Sequence, residues 1–149
     1  MGDQGRTIRN STTIRVRYAD TDAMKFVYYG KYFEYFEEGR SELLRSIGMP
    51  YTEIEKQGIL IAVVEAYAKY RRSARYDDLL TIETTLAEMP VARIRLQYRI
   101  FSEGEKEPIV EGYTVHSFLH EGTGKPTRAP AMFLQVLQEA MNNSQESHA

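Results

Sequence analysis

Hydrophobic residues recur at helical spacing from Tyr29 to Ile47. Tyr29, Tyr32, Phe33 and Phe36 fall at i, i+3, i+4 and i+7, and Leu43, Leu44 and Ile47 resume the same stripe. The spacing predicts one long helix with a buried aromatic and aliphatic face. Gly48 suits its C-terminal cap, and Pro50 stops propagation. Gly39 stands where the stripe is due to continue. A glycine inside a helix costs about 1 kcal/mol relative to alanine. Close approach to another backbone is a physical reason to accept that cost. A polar loop carrying Asp20 and Asp22 leads into the helix.

Elsewhere the pattern alternates. Ile14, Val16 and Tyr18 oppose Arg15 and Arg17, which predicts a half-buried strand over Thr12 to Tyr18. Ile59 to Tyr70 has strand composition and is apolar on both faces at its start, so it is expected inside the sheet. Leu80, Ile82, Thr84 and Leu86 share one face of the next strand. Ile94, Leu96, Tyr98 and Ile100 oppose Arg93, Arg95, Gln97 and Arg99 in the one after. Ile109 to His120 reads as the last strand, and Ala131 to Met141 as a terminal helix. Met49 to Gln57 holds one more helical turn. Short connections make consecutive strands antiparallel. The prediction is an α+β fold, a five-stranded antiparallel sheet curled round one long helix. It places a single domain at residues 12–141, between a flexible N-terminus at 1–11 and a flexible tail at 142–149.

Composition narrows the function classes. The 149 residues carry a net charge of -2, which gives no pull toward nucleic acid. The arginine face of Arg93, Arg95 and Arg99 lacks an aromatic stacking pattern and reads as a solvated or inter-subunit surface. No apolar run is long enough to span a membrane. With no cysteine there is neither disulfide nor thiolate chemistry, which favours the cytoplasm. No metal or redox cofactor is expected.

The acidic loop has two readings. Aspartate and threonine are preferred helix N-caps, so one of Asp20, Thr21 or Asp22 is expected to cap. A helix N-terminus also offers unpaired N–H groups and positive dipole, which hold a developing oxyanion while a nearby carboxylate attacks or activates water. That combination performs acyl transfer without serine, cysteine or metal.

The segment YADTDAMKFVYYGKYFEYFEEGR resembles the signature of hotdog-fold acyl-CoA thioesterases of the 4-hydroxybenzoyl-CoA thioesterase type, with its D-x-D-x-x-G-x-V-Y pattern running into a central helix. VVEAYAKYRRSARYDDLLTIET is similar to the second and third strands of that family, and EGYTVHSFLHEGTGKPTRAP to its last strand and exit loop. The resemblance implies that Asp22 is the catalytic carboxylate, as nucleophile or general base. It implies that the backbone N–H of Tyr29 polarises the thioester carbonyl. It also implies a homodimer or homotetramer with the site at the subunit contact, where Val63 and Val64 face substrate from the other copy.

Tyr28 and Tyr32 are candidate walls of the acyl site. Arg71, Arg72 and Arg75 are candidate partners of the CoA phosphates, with charge balance by Asp77 and Asp78 as the competing role. His116 sits among ordinary sheet residues and reads as a packed histidine. Two positions depart from the family pattern: Lys25 replaces its glycine, and Lys31 an asparagine. The alternatives to hydrolysis are a dehydratase-like hotdog reaction, for which the loop lacks a histidine base, and a non-catalytic acyl-CoA-binding sensor.

Overall fold

The computed structural model describes residues 7–147, with side chains described through Ser144. The elements run β1 (Ile8–Arg15), a 3-10 turn (Tyr18–Asp20), α1 (Lys31–Ser46), α2 (Tyr51–Glu55), β2 (Ile59–Tyr70), β3 (Leu79–Leu86), β4 (Arg93–Ser102), β5 (Val110–His120), β6 (Pro126–Thr127) and α3 (Ala131–Ser147). Five strands form an antiparallel path in the order β1-β3-β4-β5-β2, and the two-residue β6 adds to β5. Helix α1 touches β1 and β2, the two edges of that path, as well as β3 and β4 between them. A sheet whose opposite edges both reach one helix must curl round it.

Why the helix sits so close is visible at Gly39. A Cβ there would lie 2.4 Å from Thr84 Oγ1 and 2.7 Å from Ile82 Cγ2, so only glycine fits against β3. The same seam needs Gly112 on β5, where a Cβ would meet Tyr67 O at 2.1 Å and the Phe36 ring at 2.8 Å. Around these notches the core is dense. Phe36 stacks on Tyr98 with ring centroids 4.3 Å apart. Leu43, Leu80, Ile82, Leu86 and Ile100 are wholly buried. The alternating faces of β3 and β4 fall as their patterns predict.

Several boundaries differ from the sequence reading. β1 begins at Ile8, so Ile8 to Ser11 pair with β3 across Leu86 to Glu83. Ladder hydrogen bonds hold this polar stretch, whose composition predicts fraying; residues 1–6 lie outside the described ones. Tyr18 leaves the strand for the 3-10 turn and is exposed. α3 continues past Met141 to Ser147, through part of the expected flexible tail. It buries Phe133, Leu137 and Met141 at i, i+4 and i+8, and it packs on β1. β2 is an edge strand paired only with β5, not an interior one. Its pairing slips between Val63 and Glu65, a β-bulge at Val64. The bulge breaks the period of two, which is why Val63 and Val64 are both about half exposed, at 51% and 48%.

Candidate active site

The loop from Tyr18 to Gly30 is built around Asp20. Its carboxylate is buried and accepts from the Arg17 amide at 3.1 Å and the Tyr35 hydroxyl at 3.0 Å. The Lys31 ammonium lies 3.3 Å away and the Arg17 guanidinium 3.4 Å. Burial pushes the Asp20 carboxyl up, but the Arg17 amide, Tyr35 hydroxyl and Lys31 ammonium outweigh it and hold it below the usual carboxylate range. Burial and then Asp20 push the Tyr35 phenol far above its ordinary value. Lys31, in the family's asparagine position, ties Asp20 to the first turn of α1 and also pairs with Glu34 at 3.1 Å. The Asp20 backbone carbonyl accepts the Tyr28 N–H at 3.0 Å. Asp20 therefore pins both ends of the loop.

Asp22 has the opposite surroundings. It is exposed. One oxygen, Oδ1, accepts the Met24 amide at 2.8 Å and the Phe26 amide at 3.3 Å, an Asx turn that fixes the carboxylate. Among the described residues Oδ2 has no hydrogen-bond partner. The Asp22 N–H bonds the Phe26 carbonyl at 2.8 Å, and Thr21 and Val27 form a bridge that closes the loop. Lys25 lies inside this turn at φ +68°, the left-handed conformation that favours glycine. The loop thus keeps a glycine-like backbone and imposes it on a lysine, at a cost of about 1–2 kcal/mol.

Tyr29 falls just before α1 rather than on its buried face, and the residue is 64% exposed. Its N–H finds no acceptor among the described residues; its carbonyl accepts the Tyr70 hydroxyl at 3.1 Å. The Tyr28, Tyr29 and Tyr70 rings form a chain, with centroids 4.7 and 6.4 Å apart. Tyr32 is buried, and its ring meets the Tyr70 end of that chain with centroids 5.5 Å apart; its hydroxyl accepts the Ala74 N–H at 3.0 Å.

The three arginines are not equivalent. Arg71 is held by Glu111 at 2.7 Å, and Arg72 is paired with Glu105. Arg75 makes no ion pair among the described residues, and its guanidinium lies over the Phe26 ring at 4.9 Å. With Met24, Lys25, Phe26 and Tyr76 it lines a surface cavity of about 480 Å³ beside the acidic loop. Asp78 accepts the Arg75 amide at 2.9 Å and so caps that turn. His116 is buried and bonds Thr114 through Nε2 at 2.8 Å, as a packed histidine. Burial, helped by Arg40, pushes it down to about 4.

Sequence reasoning overlooked Arg40, whose side chain is only 9% accessible. A signal was present. Arg40 follows Tyr32 and Phe36 at i+4 steps, so it is a charge on the buried stripe.

The sequence and the overall fold match known proteins. The thioesterase-like superfamily matches residues 16–137. A putative esterase of Aquifex aeolicus is 32% identical over 125 residues, which cover 84% of this chain and 94% of that protein. An acyl-CoA thioesterase of Haemophilus influenzae is 36% identical over 91 residues, covering 60% of this chain and 67% of that one. The crystal structure of a DHNA-CoA thioesterase from Staphylococcus aureus superimposes with a TM-score of 0.82 at 29% identity, covering 94% of this chain and 93% of that one. With its curled antiparallel sheet round α1, the chain adopts the hotdog fold and belongs to the thioesterase-like superfamily.

Proposed function

We propose that the protein hydrolyses acyl-CoA thioesters to a free carboxylic acid and CoA. One observation carries the reading. Among the described residues, the loop that leaves an Asp22 oxygen unpartnered ends at a backbone amide, Tyr29 N–H, that is unpartnered as well. A thioester carbonyl accepts that N–H as negative charge builds on its oxygen. A fixed donor of this kind is worth about 3 kcal/mol in the transition state. Asp22 Oδ2 then has two routes. As nucleophile it bonds to the carbonyl carbon, the C–S bond breaks with departure of CoA thiolate, and water cleaves the resulting anhydride. As general base it takes a proton from water, the water oxygen bonds to carbon, and the same C–S bond breaks.

The remaining parts follow from charge and exposure. Arg71 and Arg72 are already spent on carboxylates, so the CoA phosphates fall to Arg75 and Lys25. Leu60, Val63, Val64 and Tyr67 are exposed on an edge strand, a surface suited to a second copy. In that homo-oligomer Val63 and Val64 of one copy face the substrate of the other. Among the described residues no helix is long and apolar enough to cross a membrane. A cytoplasmic enzyme acting on cytoplasmic CoA esters fits that and the absence of cysteine.

The test is thiol release across a panel of acyl-CoAs. Wild type releases thiol, and Asp22→Asn releases almost none while still binding CoA esters. Undiminished release by Asp22→Asn would remove the assignment. Label found in Asp22 after a single turnover in ¹⁸O-water establishes the nucleophilic route with water attacking the Asp22 carbon of the anhydride; trapping of the anhydride by hydroxylamine reads that route when water attacks the acyl carbon instead. Arg75→Ala weakens a CoA ester more than the matching pantetheine ester; equal losses would take Arg75 out of phosphate binding.

A further inference from the structure

The Tyr29 N–H belongs to the peptide plane it shares with Tyr28, and the hydrogen bonds around that plane decide where it points. Its carbonyl side is held from α1, where Tyr28 O accepts the Lys31 N–H at 2.8 Å. The preceding plane is held from the loop, where the Tyr28 N–H donates to Asp20 O at 3.0 Å. The following plane, between Tyr29 and Gly30, is held less firmly by the helix itself. Its carbonyl, Tyr29 O, receives the Tyr32 N–H only at 3.4 Å, and the next bond of the turn, Phe33 N–H to Gly30 O, is 3.2 Å long. Helix ends fray, and bonds of this length restrain them weakly.

A shorter bond on that carbonyl comes from far along the chain. The Tyr70 hydroxyl donates to Tyr29 O at 3.1 Å, across 41 residues of sequence. Tyr70 is the last residue of β2 and pairs with Val110. Just beyond it the Arg71 and Arg72 amides both donate to Ile109 O, at 2.8 and 3.2 Å. Its ring meets those of Tyr29 and the buried Tyr32, with centroids 6.4 and 5.5 Å away. The sheet thus carries a hydroxyl to the tip of the helix on a braced arm. Peptide planes turn only about φ and ψ, so holding the planes on both sides of Tyr29 fixes the direction of its N–H. Water could satisfy the same carbonyl, but a water molecule is not tethered to the sheet.

We propose that Tyr70 is a positioning residue for hydrolysis: through the Tyr29 carbonyl it keeps the Tyr29 N–H aimed at the thioester oxygen. It acts through Tyr29 and not on the substrate. The role rests on the thioesterase reading for what the N–H receives, and on the contact between β2 and the start of α1 alone for the tether. A fixed donor needs no reorganisation as charge develops on the oxygen, and a donor that swings loses that advantage in the transition state. The loss of Tyr70 therefore falls on kcat and not on KM.

Tyr70→Phe deletes the hydroxyl and keeps the ring against Tyr29 and Tyr32. In thiol release from an acyl-CoA it should lower kcat about tenfold with KM within about twofold, a smaller loss than the roughly hundredfold or more that follows removal of an oxyanion donor itself. Its thermal midpoint should stay within about 3 °C of wild type. A merely structural role would lower the midpoint and leave the kcat of the folded enzyme alone. The ¹⁵N order parameter of the Tyr29 amide reads the tether without turnover: about 0.85 in wild type, as in rigid backbone, and below about 0.7 in Tyr70→Phe. An unchanged order parameter, or an unchanged kcat beside an active wild type, would overturn the positioning role and leave the hydrolase reading standing. A fallen order parameter with no thiol released by wild type from any acyl-CoA would uphold the tether and overturn the hydrolase reading.

Discussion

Asp20 and Asp22 are two residues apart in one loop, and the fold treats them in opposite ways. Asp20 is buried, with an amide, a phenol, an ammonium and a guanidinium around it. Asp22 is exposed and bonded through one oxygen only. A saturated carboxylate has no lone pair to offer a reaction, and moving it disturbs everything it holds. A carboxylate fixed by one oxygen is oriented yet retains an acceptor for chemistry. The pair shows that residue type does not set a carboxylate's surroundings; the count of donors within reach does.

The sharpest way to break this contrast is to neutralise each acid in turn. Asp22→Asn should cut thiol release by at least about a thousandfold, or about 4 kcal/mol of barrier, with thermal stability unchanged. Asp20→Asn should do the reverse, lowering stability by about 3 kcal/mol because Lys31 and Arg17 lose their buried counter-charge. Urea unfolding beside a thiol assay checks both. Crossed outcomes, an unstable Asp22→Asn and a stable but dead Asp20→Asn, would exchange the two roles.

Acid titration sharpens the contrast. The folded-state pKa of Asp20 is depressed, so its contribution is present above its unfolded value near 3.8 and is lost as pH falls through the lower folded value. His116 also has a depressed folded pKa, about 4 against 6.5, so the unfolded chain binds more protons between those values. Stability is then full above pH 6.5 and falls as pH drops toward 4, by up to about 3 kcal/mol. His116→Gln should flatten the upper limb between 6.5 and 4, and leave the steeper loss below 4 that belongs to carboxylates such as Asp20. An unaltered upper limb would mean another group controls it.

The smallest effect expected is at Lys25. Lys25→Gly relieves the left-handed strain but adds freedom to the unfolded chain, for a net gain of less than about 1 kcal/mol. If the lysine binds phosphate as proposed, KM for CoA esters should rise while stability does not fall. A variant that loses stability would show that the Asp22 turn depends on the lysine side chain.

Much of this was readable in the chain before any coordinates. The faces of β3 and β4 follow from strict alternation, and Gly39 announces the helix–sheet contact because nothing else justifies its cost. What stayed hidden was set by partners distant in sequence. Ile8 to Ser11 form a strand because β3 supplies their hydrogen bonds, not because their side chains ask for one. β2 reads as interior from its apolar start, yet it is an edge whose bulge turns two valines outward. Tyr29 fits the helical stripe by count but precedes the helix, since Asp20 fixes where the first turn begins. The difference between Asp20 and Asp22 was equally invisible, because it depends on Tyr35 and Lys31 folding back.

The glycine notch against Thr84 has a consequence for how this enzyme could be altered. Gly39 allows α1 to lie on β3 in a single rotational setting, like a key cut for one ward. The segment from Gly30 to that notch therefore works as a fixed-length spacer. One inserted residue would swing the acidic loop by about 100° around the axis and lift it about 1.5 Å. Substitutions along this stretch are open to redesign, whereas changes in its length are not.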